Sequence, residues 1–184
     1  MATLNATNLK HASSSSNNIV LAADGSVNIP TLTTNSTFGL VRQHKILSKS
    51  TKSSTASTTP GIIPDFSITI TPTASDSIMV VEASMMFAID THVISTRIYK
   101  DSDIMIQPAA YNGSDDGSSS FYIESNIDRM LHQTISSFET AGNTNARTYS
   151  VYWRVSSGTA YINRYSGSDS YNGVSILRVT EVAP

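Results

Sequence analysis

Residues 66–89 read FSITITPTASDSIMVVEASMMFAI, and this stretch determines the fold class that the sequence predicts. Phe66 to Thr71 alternates apolar and hydroxyl-bearing residues, which is the period of a strand with one buried face. Pro72 cannot donate to a sheet ladder, so it ends this strand before a turn. Ile78–Ile89 is then apolar at nearly every position. A helix of this length is possible, but the Met-Val-Val run and the Asp and Ser boundaries favour a long strand covered on both faces. Two such strands predict a β-sandwich or the core of an oligomer.

The composition supports an all-β chain whose surface is partly covered. The 184 residues are 39% hydrophobic and 14% charged, against about 25% charged in a typical soluble domain. Ser and Thr make up roughly a quarter of the chain, which suits strands with hydroxyl-bearing outer faces. So little surface charge indicates that further copies of the chain cover much of the surface. Ser-rich low complexity would give the same statistic.

Charge and cysteine content exclude several classes of function. The net charge of −2 gives no basic field for nucleic acid, so no nucleic-acid partner is expected. The chain contains no cysteine, which excludes disulfides and thiolate metal sites. It also lacks the apolar segments of a signal peptide or a membrane span. We therefore expect synthesis in a cytoplasm and no membrane insertion.

Two regions follow from the pattern along the chain, an arm with a hairpin at residues 1–39 and a sandwich at residues 40–184. Asp24-Gly25 separates two short apolar runs, and the glycine supplies the positive φ of a tight hairpin turn. A lone hairpin is marginal in water, so it must dock on a partner. Further strands are predicted at residues 40–50, 93–99, 104–107, 121–123, 130–138, 147–155, 159–164 and 174–182. Residues 49–60 and 112–120 are expected to be loops. Eight or more strands at regular spacing predict a sandwich or jelly roll.

The sequence gives only weak signals for a metal site or for catalytic groups. Asp101-Ser-Asp103 supplies oxygen ligands but reads as a turn, and residues 112–123 begin like a calcium loop without its final glutamate. The histidines lack metal-ligand spacing, and no serine has a triad context. The histidines are His11, His44, His92 and His132. We therefore expect no metal, no cofactor and no enzymatic activity. Glu82 is the most unusual polar residue, because it interrupts an apolar strand; we expect it at an exposed face or paired at an interface with Arg97 or Arg154.

Three stretches resemble structural proteins of bacterial viruses. NLKHASSSSNNIVLAADGSVNIP at residues 8–30 resembles the attachment and stem segments of tail-fibre proteins, especially those of cyanophages. SITITPTASDSIMVVEASMMFAI at residues 67–89 is similar to a central stretch of their C-terminal domains. SGTAYINRYSGSDSYNGVSILRVTEV at residues 157–182 is similar to the end of those domains. These patterns cover most of the chain and reflect β-structure rather than chemistry.

The resemblance implies a trimer of jelly-roll domains, of the tumour-necrosis-factor and C1q shape, on an N-terminal anchor. It implies a virion protein whose arm binds other virion proteins of the tail, baseplate or capsid. The anchoring residues would be those of the hairpin, Ile19, Val20, Leu21, Val27 and Ile29. Fewer than about forty residues precede the sandwich, so a long fibre shaft is not expected.

A short tail fibre that binds a host-surface glycan through distal loops is the function this resemblance favours. Aromatic rings with short polar partners suit sugar binding, although tyrosines also cap sandwiches and subunit seams. The candidate receptor-binding residues are Tyr111, Asp115, Asp116, Tyr165, Asp169 and Tyr171. Phe121, Tyr122 and Tyr161 lie in or beside similar loops. The alternative is a capsid decoration, head-fibre or baseplate accessory protein that stabilises the virion without a receptor. A depolymerase would need paired loop carboxylates, which are not evident.

Overall fold

The protein is all-β, as the sequence predicts. The structure is a computed structural model that describes residues 40–90, 92–105, 119–123, 130–165, 170 and 172–184, with three short N-terminal strands. The regular secondary structure of these residues consists of β-strands. None of the described residues belongs to a helix that could cross a membrane. The chain divides into two compact units, Met1–Phe38 and Gly39–Pro184.

The N-terminal unit contains a small antiparallel sheet of β1 (Asn8–Leu9), β2 (Ile19–Leu21) and β3 (Val27–Asn28). Strand β2 pairs with β3 through Val20 opposite Asn28, and with β1 on its other edge. The predicted pairing of the two hairpin strands is therefore confirmed, whereas the Asp24-Gly25 turn lies outside the described residues.

The second unit contains eleven strands in its described residues. They are β4 (Val41–Lys49), β5 (Ser53–Thr55), β6 (Gly61–Ile70), β7 (Ile78–Ile89), β8 (His92–Lys100), β9 (Asp103–Ile104), β10 (Ser119–Ile123), β11 (Leu131–Thr140), β12 (Arg147–Val155), β13 (Ala160–Ile162) and β14 (Ser175–Val182). Most agree with the sequence prediction. Strand β5 does not, because it lies in the predicted polar loop. It pairs with β13, with Thr55 opposite Ala160, and a strand at a sheet edge needs no apolar side chains of its own.

These strands form two antiparallel sheets. Sheet I has the order β4-β14-β7, with β11 on the other edge of β7 and with β13 and β5 continuing beyond the end of β14. Sheet II has the order β10-β8-β12-β6, with β9 beside β8. The organising strands β6 and β7 thus belong to different sheets, and the long β7 is the centre of sheet I.

One hydrophobic core joins the inner faces of the two sheets, as in a β-sandwich. The alternating residues predicted to be buried on β12, Tyr149, Val151, Trp153 and Val155, are all at most 3% exposed. Phe87 of sheet I contacts Trp153 of sheet II, with ring centroids 6.0 Å apart. Strand β7 was expected to be covered on both faces. In the single chain its inner face is buried and its outer face is half-buried over most of its length.

Side chains of β4 close one edge of the sandwich. The amide of Gln43 donates to the carbonyl of Thr71 at 2.7 Å, and the ammonium of Lys45 donates to the carbonyl of Thr69 at 2.8 Å. Both carbonyls belong to β6 or to the residue after it, and β6 is the edge strand of sheet II. The polar groups of that edge are therefore partly satisfied by the neighbouring sheet.

The beginning and the end of the second unit lie at the same end of the sandwich. The N–H of Ala183 donates to the carbonyl of Leu40 at 2.8 Å. We call this the terminal end. Strand β7 starts there beside β14 and runs to the opposite, distal end, where β13 pairs with its last residues. The N–H of Asp90 donates to the carbonyl of Thr159 at the distal end, at 3.0 Å.

Candidate functional site

A cluster of aromatic and charged side chains lies at the distal end, after β13. The hydroxyl of Tyr161 donates to Oδ2 of Asp90 at 3.1 Å, and the guanidinium of Arg164 lies 4.6 Å from the centre of the Tyr161 ring. Nε of Arg164 donates to the carbonyl of Tyr165 at 3.1 Å. Burial and the hydrogen bond to Asp90 raise the pKa of Tyr161, so its hydroxyl stays protonated at neutral pH. The cluster offers ring, hydroxyl, carboxylate and guanidinium groups, which are the groups that bind a polyol.

Asn163 fixes the backbone beneath this distal cluster. It has a positive φ of 60°, which asparagine tolerates better than most residues. Its side-chain amide donates to the carbonyl of Lys49 at 2.8 Å, and its Oδ1 accepts from the hydroxyl of Ser175 at 2.6 Å. Its backbone N–H donates to Met86, and its carbonyl accepts from Gly173. One buried residue therefore joins β4, β7, β13 and the start of β14, and it holds both ends of the loop between β13 and β14.

Of the predicted receptor-binding residues, the structure describes Tyr165, which is half-buried in the distal cluster. The others lie outside the described residues: Tyr111, Asp115, Asp116, Asp169 and Tyr171. Phe121 and Tyr122 lie in strand β10, in agreement with the strand predicted at residues 121–123. Tyr161 was only a secondary candidate, yet it contacts more of the cluster. Of the predicted anchoring residues, Ile19, Val20, Leu21 and Val27 lie in β2 and β3, and Ile29 lies outside the described residues.

The candidate metal ligands have local hydrogen-bonding partners. Asp101 has a positive φ of 53°, and its Oδ1 accepts from the N–H of Thr148 at 2.9 Å, so it joins a turn to the neighbouring strand. Nδ1 of His44 lies 2.7 Å from the hydroxyl of Thr180, and Nε2 of His132 lies 2.6 Å from the hydroxyl of Ser84. In the described ranges, no three His, Asp or Glu residues converge on a common point. His11 and residues 112–118 lie outside those ranges.

A second polar cluster, at the terminal end, was not predicted from the sequence. Glu139 accepts hydrogen bonds from Lys100 at 2.7 Å, from Arg147 at 3.2 Å and from the hydroxyl of Tyr149 at 2.8 Å. Burial and the bond to Glu139 raise the pKa of Tyr149. Clefts of about 270 and 110 Å³ flank Lys100. Two cations share one carboxylate in this cluster, and their hydrogen bonds to Glu139 join the ends of β8, β11 and β12.

Glu181 is a second carboxylate that sequence reasoning missed, and it is fully buried near the terminal end. It accepts from the hydroxyl of Ser77 at 2.5 Å, from the N–H and hydroxyl of Thr73 at 2.8 and 2.7 Å, and from the amide of Gln43 at 2.5 Å. Burial alone would raise the pKa of this carboxyl, but these hydrogen bonds outweigh burial and lower the pKa to about 2. Glu181 therefore holds the turn before β7 against β4 and β14.

The outer face of sheet I is the most apolar exposed surface of the described residues. Phe138 is 73% exposed, Ile46 60% and Val41 56%, and all three lie on strands of this sheet. By strand alternation, the face consists of His44, Ile46, Ser48, Ile78, Val80, Glu82, Ser84, Met86, His132, Thr134, Ser136, Phe138, Thr140, Ile176, Arg178, Thr180 and Val182, with Val41 at its edge.

The outer face of sheet II is more polar. Thr69 and Thr148 share a hydrogen bond of 2.8 Å between their hydroxyls, and the rings of Tyr99 and Tyr152 stack with centroids 3.9 Å apart. Ile62, at 46%, is the exposed large hydrophobic residue on its described strands. The two outer faces therefore differ in chemistry, although both belong to the same sandwich.

Glu82 lies at the centre of the outer face of sheet I, half-exposed and directly opposite Arg178 of β14. The prediction that it occupies an exposed face is confirmed. Arg97 and Arg154 belong to β8 and β12 of sheet II, so a pairing of Glu82 with either of them at an interface between copies stays a prediction. Neither Glu82 nor Arg178 forms a hydrogen bond or ion pair with another described residue.

Comparison with known proteins adds no family to this description. No protein-family model matches the chain, and no curated protein matches it at a significant level.

Proposed function

We propose that residues 40–184 form a jelly roll. Counted along the chain, the eight main strands (β4, β6, β7, β8, β10, β11, β12 and β14) occupy sheet I in the order 1-8-3-6 and sheet II in the order 2-7-4-5. The first strand lies beside the last and the second beside the seventh, as in a ribbon folded double. That order, with two four-stranded antiparallel sheets, is the pattern of a double Greek key.

We propose further that the protein is a non-enzymatic structural protein of a bacteriophage virion, assembled as a homotrimer. The resemblance of three stretches to tail-fibre proteins supports this reading, as does the low charge content of 14%. The apolar outer face of sheet I supports association of copies. The N-terminal arm, with its hairpin, would bind other virion proteins.

The main support for a receptor-binding function is that the start of the sandwich and the distal cluster lie at opposite ends. Leu40, the first described residue of the second unit, lies at the terminal end, where it is hydrogen-bonded to Ala183, and the cluster of Tyr161, Arg164 and Tyr165 lies at the opposite end. A domain mounted by its terminal end would present this cluster outward. The protein would then act as a short tail fibre that binds a host-surface glycan, and several weak sites on one particle would add their affinities.

Cryo-electron microscopy of the virions that carry the chain tests the location. Density for the sandwich at the tail, with the distal end pointing outward, is the expected result. Density tiling the capsid would refute the tail-fibre function and favour the decoration protein. Density buried in the baseplate, with the distal end covered, would favour an accessory role.

Competition for adsorption tests the receptor site. The purified full chain should slow adsorption of the virions to host cells, and Tyr161→Ala and Tyr165→Ala should each weaken that competition. Tyr152→Ala is the matched control, because it removes a tyrosine from the outer face of sheet II. Equal competition by all variants would show that the distal cluster does not bind the receptor.

A further inference from the structure

We propose that the outer face of sheet I is the surface through which copies of this chain assemble, and that Glu82 of one copy pairs with Arg178 of the next. This inference rests on the proposed homo-oligomer and specifies its interface. The exposed apolar residues of the described strands concentrate on this face: Phe138 at 73%, Ile46 at 60% and Val41 at 56%. Exposed large apolar side chains collected on one face of a sheet favour an interaction site there.

The charges at the centre of the face fit a second copy. Glu82 and Arg178 are Cα partners on adjacent strands, and both are half-buried in the single chain. Neither makes an ion pair or hydrogen bond with another described residue. In the same row, Ile46 lies beside Arg178 and Ser136 lies beside Glu82. One face thus carries an acid and a base side by side, among apolar and hydroxyl-bearing residues, so the acid of one copy can meet the base of the next.

The free edge of strand β11 in sheet I is also available for association with another copy. Strand β11 pairs with β7 along its whole length, and among the described strands none pairs with its other edge. The strand contains no proline and one carboxylate, Glu139, which is engaged by Lys100 and Arg147. Exposed edges in monomeric proteins are usually protected by charge or proline. This edge is not, and Phe138 projects from it next to Val80.

A partner of a different kind is less suited to this face. A surface for an acidic or a basic partner would carry charges of one sign, whereas here the two central charges are opposite and adjacent. Each of the four strands also places an apolar side chain near them, namely Ile46, Ile176, Val80 and Phe138. A neighbouring copy offers both the complementary charge and the matching apolar area.

Light scattering and sedimentation of the full chain over a range of concentrations test the apolar part. Phe138→Ser and Ile46→Thr should each raise the dissociation constant of the oligomer at least about tenfold, because a central aromatic or aliphatic anchor contributes this much to an interface. Ile62→Thr is the matched control, since it removes an exposed isoleucine from sheet II. It should leave the dissociation constant unchanged. The fluorescence of Trp153, the single tryptophan, confirms that each variant is folded.

Charge reversal tests the pairing between copies. Glu82→Arg and Arg178→Glu should each weaken assembly, and the double variant should restore it. Because the two residues are also neighbours within one chain, the decisive measurement is a mixture of the two single variants. In this mixture, native mass spectrometry should detect more oligomers that contain both variants than oligomers that contain only one of them. Absence of mixed species, with a rescued double variant, would show that the pair acts only within its own chain and would overturn the proposed contact.

The two proposals fail in different ways. A wild-type chain that stays monomeric at high concentration would refute the homotrimer and this interface together. A wild-type oligomer that is unaffected by Phe138→Ser, Ile46→Thr and both charge reversals would leave the homotrimer intact and refute the interface alone.

Discussion

Replacing Glu181 by glutamine should destabilise the sandwich at neutral pH and have little effect in strong acid. The carboxyl has its pKa lowered from 4.5 to about 2 by hydrogen bonds from Ser77, Thr73 and Gln43. A difference of this size between the unfolded and folded states corresponds to about 3 kcal/mol, at roughly 1.4 kcal/mol per unit. Because the folded-state pKa is the lower one, this stability is fully present above pH 4.5. It is lost as the pH falls from 4.5 through 2.

The glutamine variant keeps the shape of the side chain and loses the charge. Its carbonyl oxygen can still accept from Thr73 and Ser77, but its NH₂ group would face the amide donor of Gln43, which now contacts Oε2 at 2.5 Å. We therefore expect a loss of about 2–3 kcal/mol in the free energy of unfolding at pH 7, combining the lost charge-assisted bonds with one buried unpaired donor.

Denaturant unfolding followed by Trp153 fluorescence measures this loss at pH 7, 5, 3 and 2. Trp153 is a suitable probe because it is the single tryptophan and is 3% exposed in the core. Protein concentration must be constant, since any oligomer couples assembly to folding. Asp103→Asn is the control, because Asp103 is exposed on the short strand β9. A loss for Glu181→Gln that is below about 0.5 kcal/mol, or that does not shrink towards pH 2, would refute the reasoning.

Three further predictions concern packing and backbone conformation. Phe87→Ala should cost about 3–5 kcal/mol of unfolding free energy, because it leaves a cavity against Trp153; an unchanged denaturation midpoint would contradict this. Gly173→Ala should cost about 1–3 kcal/mol, since its new Cβ would lie 2.5 and 2.8 Å from methionine side-chain atoms. Gly61→Ala, with open space around it, should be near neutral. Asn163→Ala should cost about 2 kcal/mol or more, measured by thermal unfolding, because it loses its hydrogen bonds and places alanine at a φ of 60°; Asn163→Gly should recover only the backbone part.

The strands were predictable because the signal for them is local. Alternation on β12 and the apolar run of β7 gave the right elements and nearly the right bounds. Strand β5 could not be predicted in this way. Its residues are Ser-Ser-Thr, and they form a strand because β13 offers an edge to pair with, more than a hundred residues further along the chain. Pairing with a distant edge leaves no periodicity in the shorter strand.

The carboxylates of Glu139 and Glu181 show a second limit of prediction from the sequence. Each lies near the end of a strand, where a charged residue usually faces solvent. Glu139 is partly buried and Glu181 fully buried, and both depend on donors from other elements: Lys100 and Arg147 for Glu139, Gln43 and Thr73 for Glu181. The sequence shows all of these residues but not their convergence, because the sheet order that brings them together is a property of the whole topology.

The sequence also indicates which residues point outward without telling which outer face meets water. Alternation places Thr134, Ser136 and Phe138 on one side of β11 in the same manner as it places Thr148 and Tyr152 on one side of β12. The difference emerges only when neighbouring strands are assembled. Around Phe138 the adjoining strands add apolar residues and an unpaired acid and base, whereas around Tyr152 they add a stacked ring and hydroxyl groups. That asymmetry distinguishes the two outer faces, and it is the reason why the proposed association of copies is placed on sheet I rather than on sheet II.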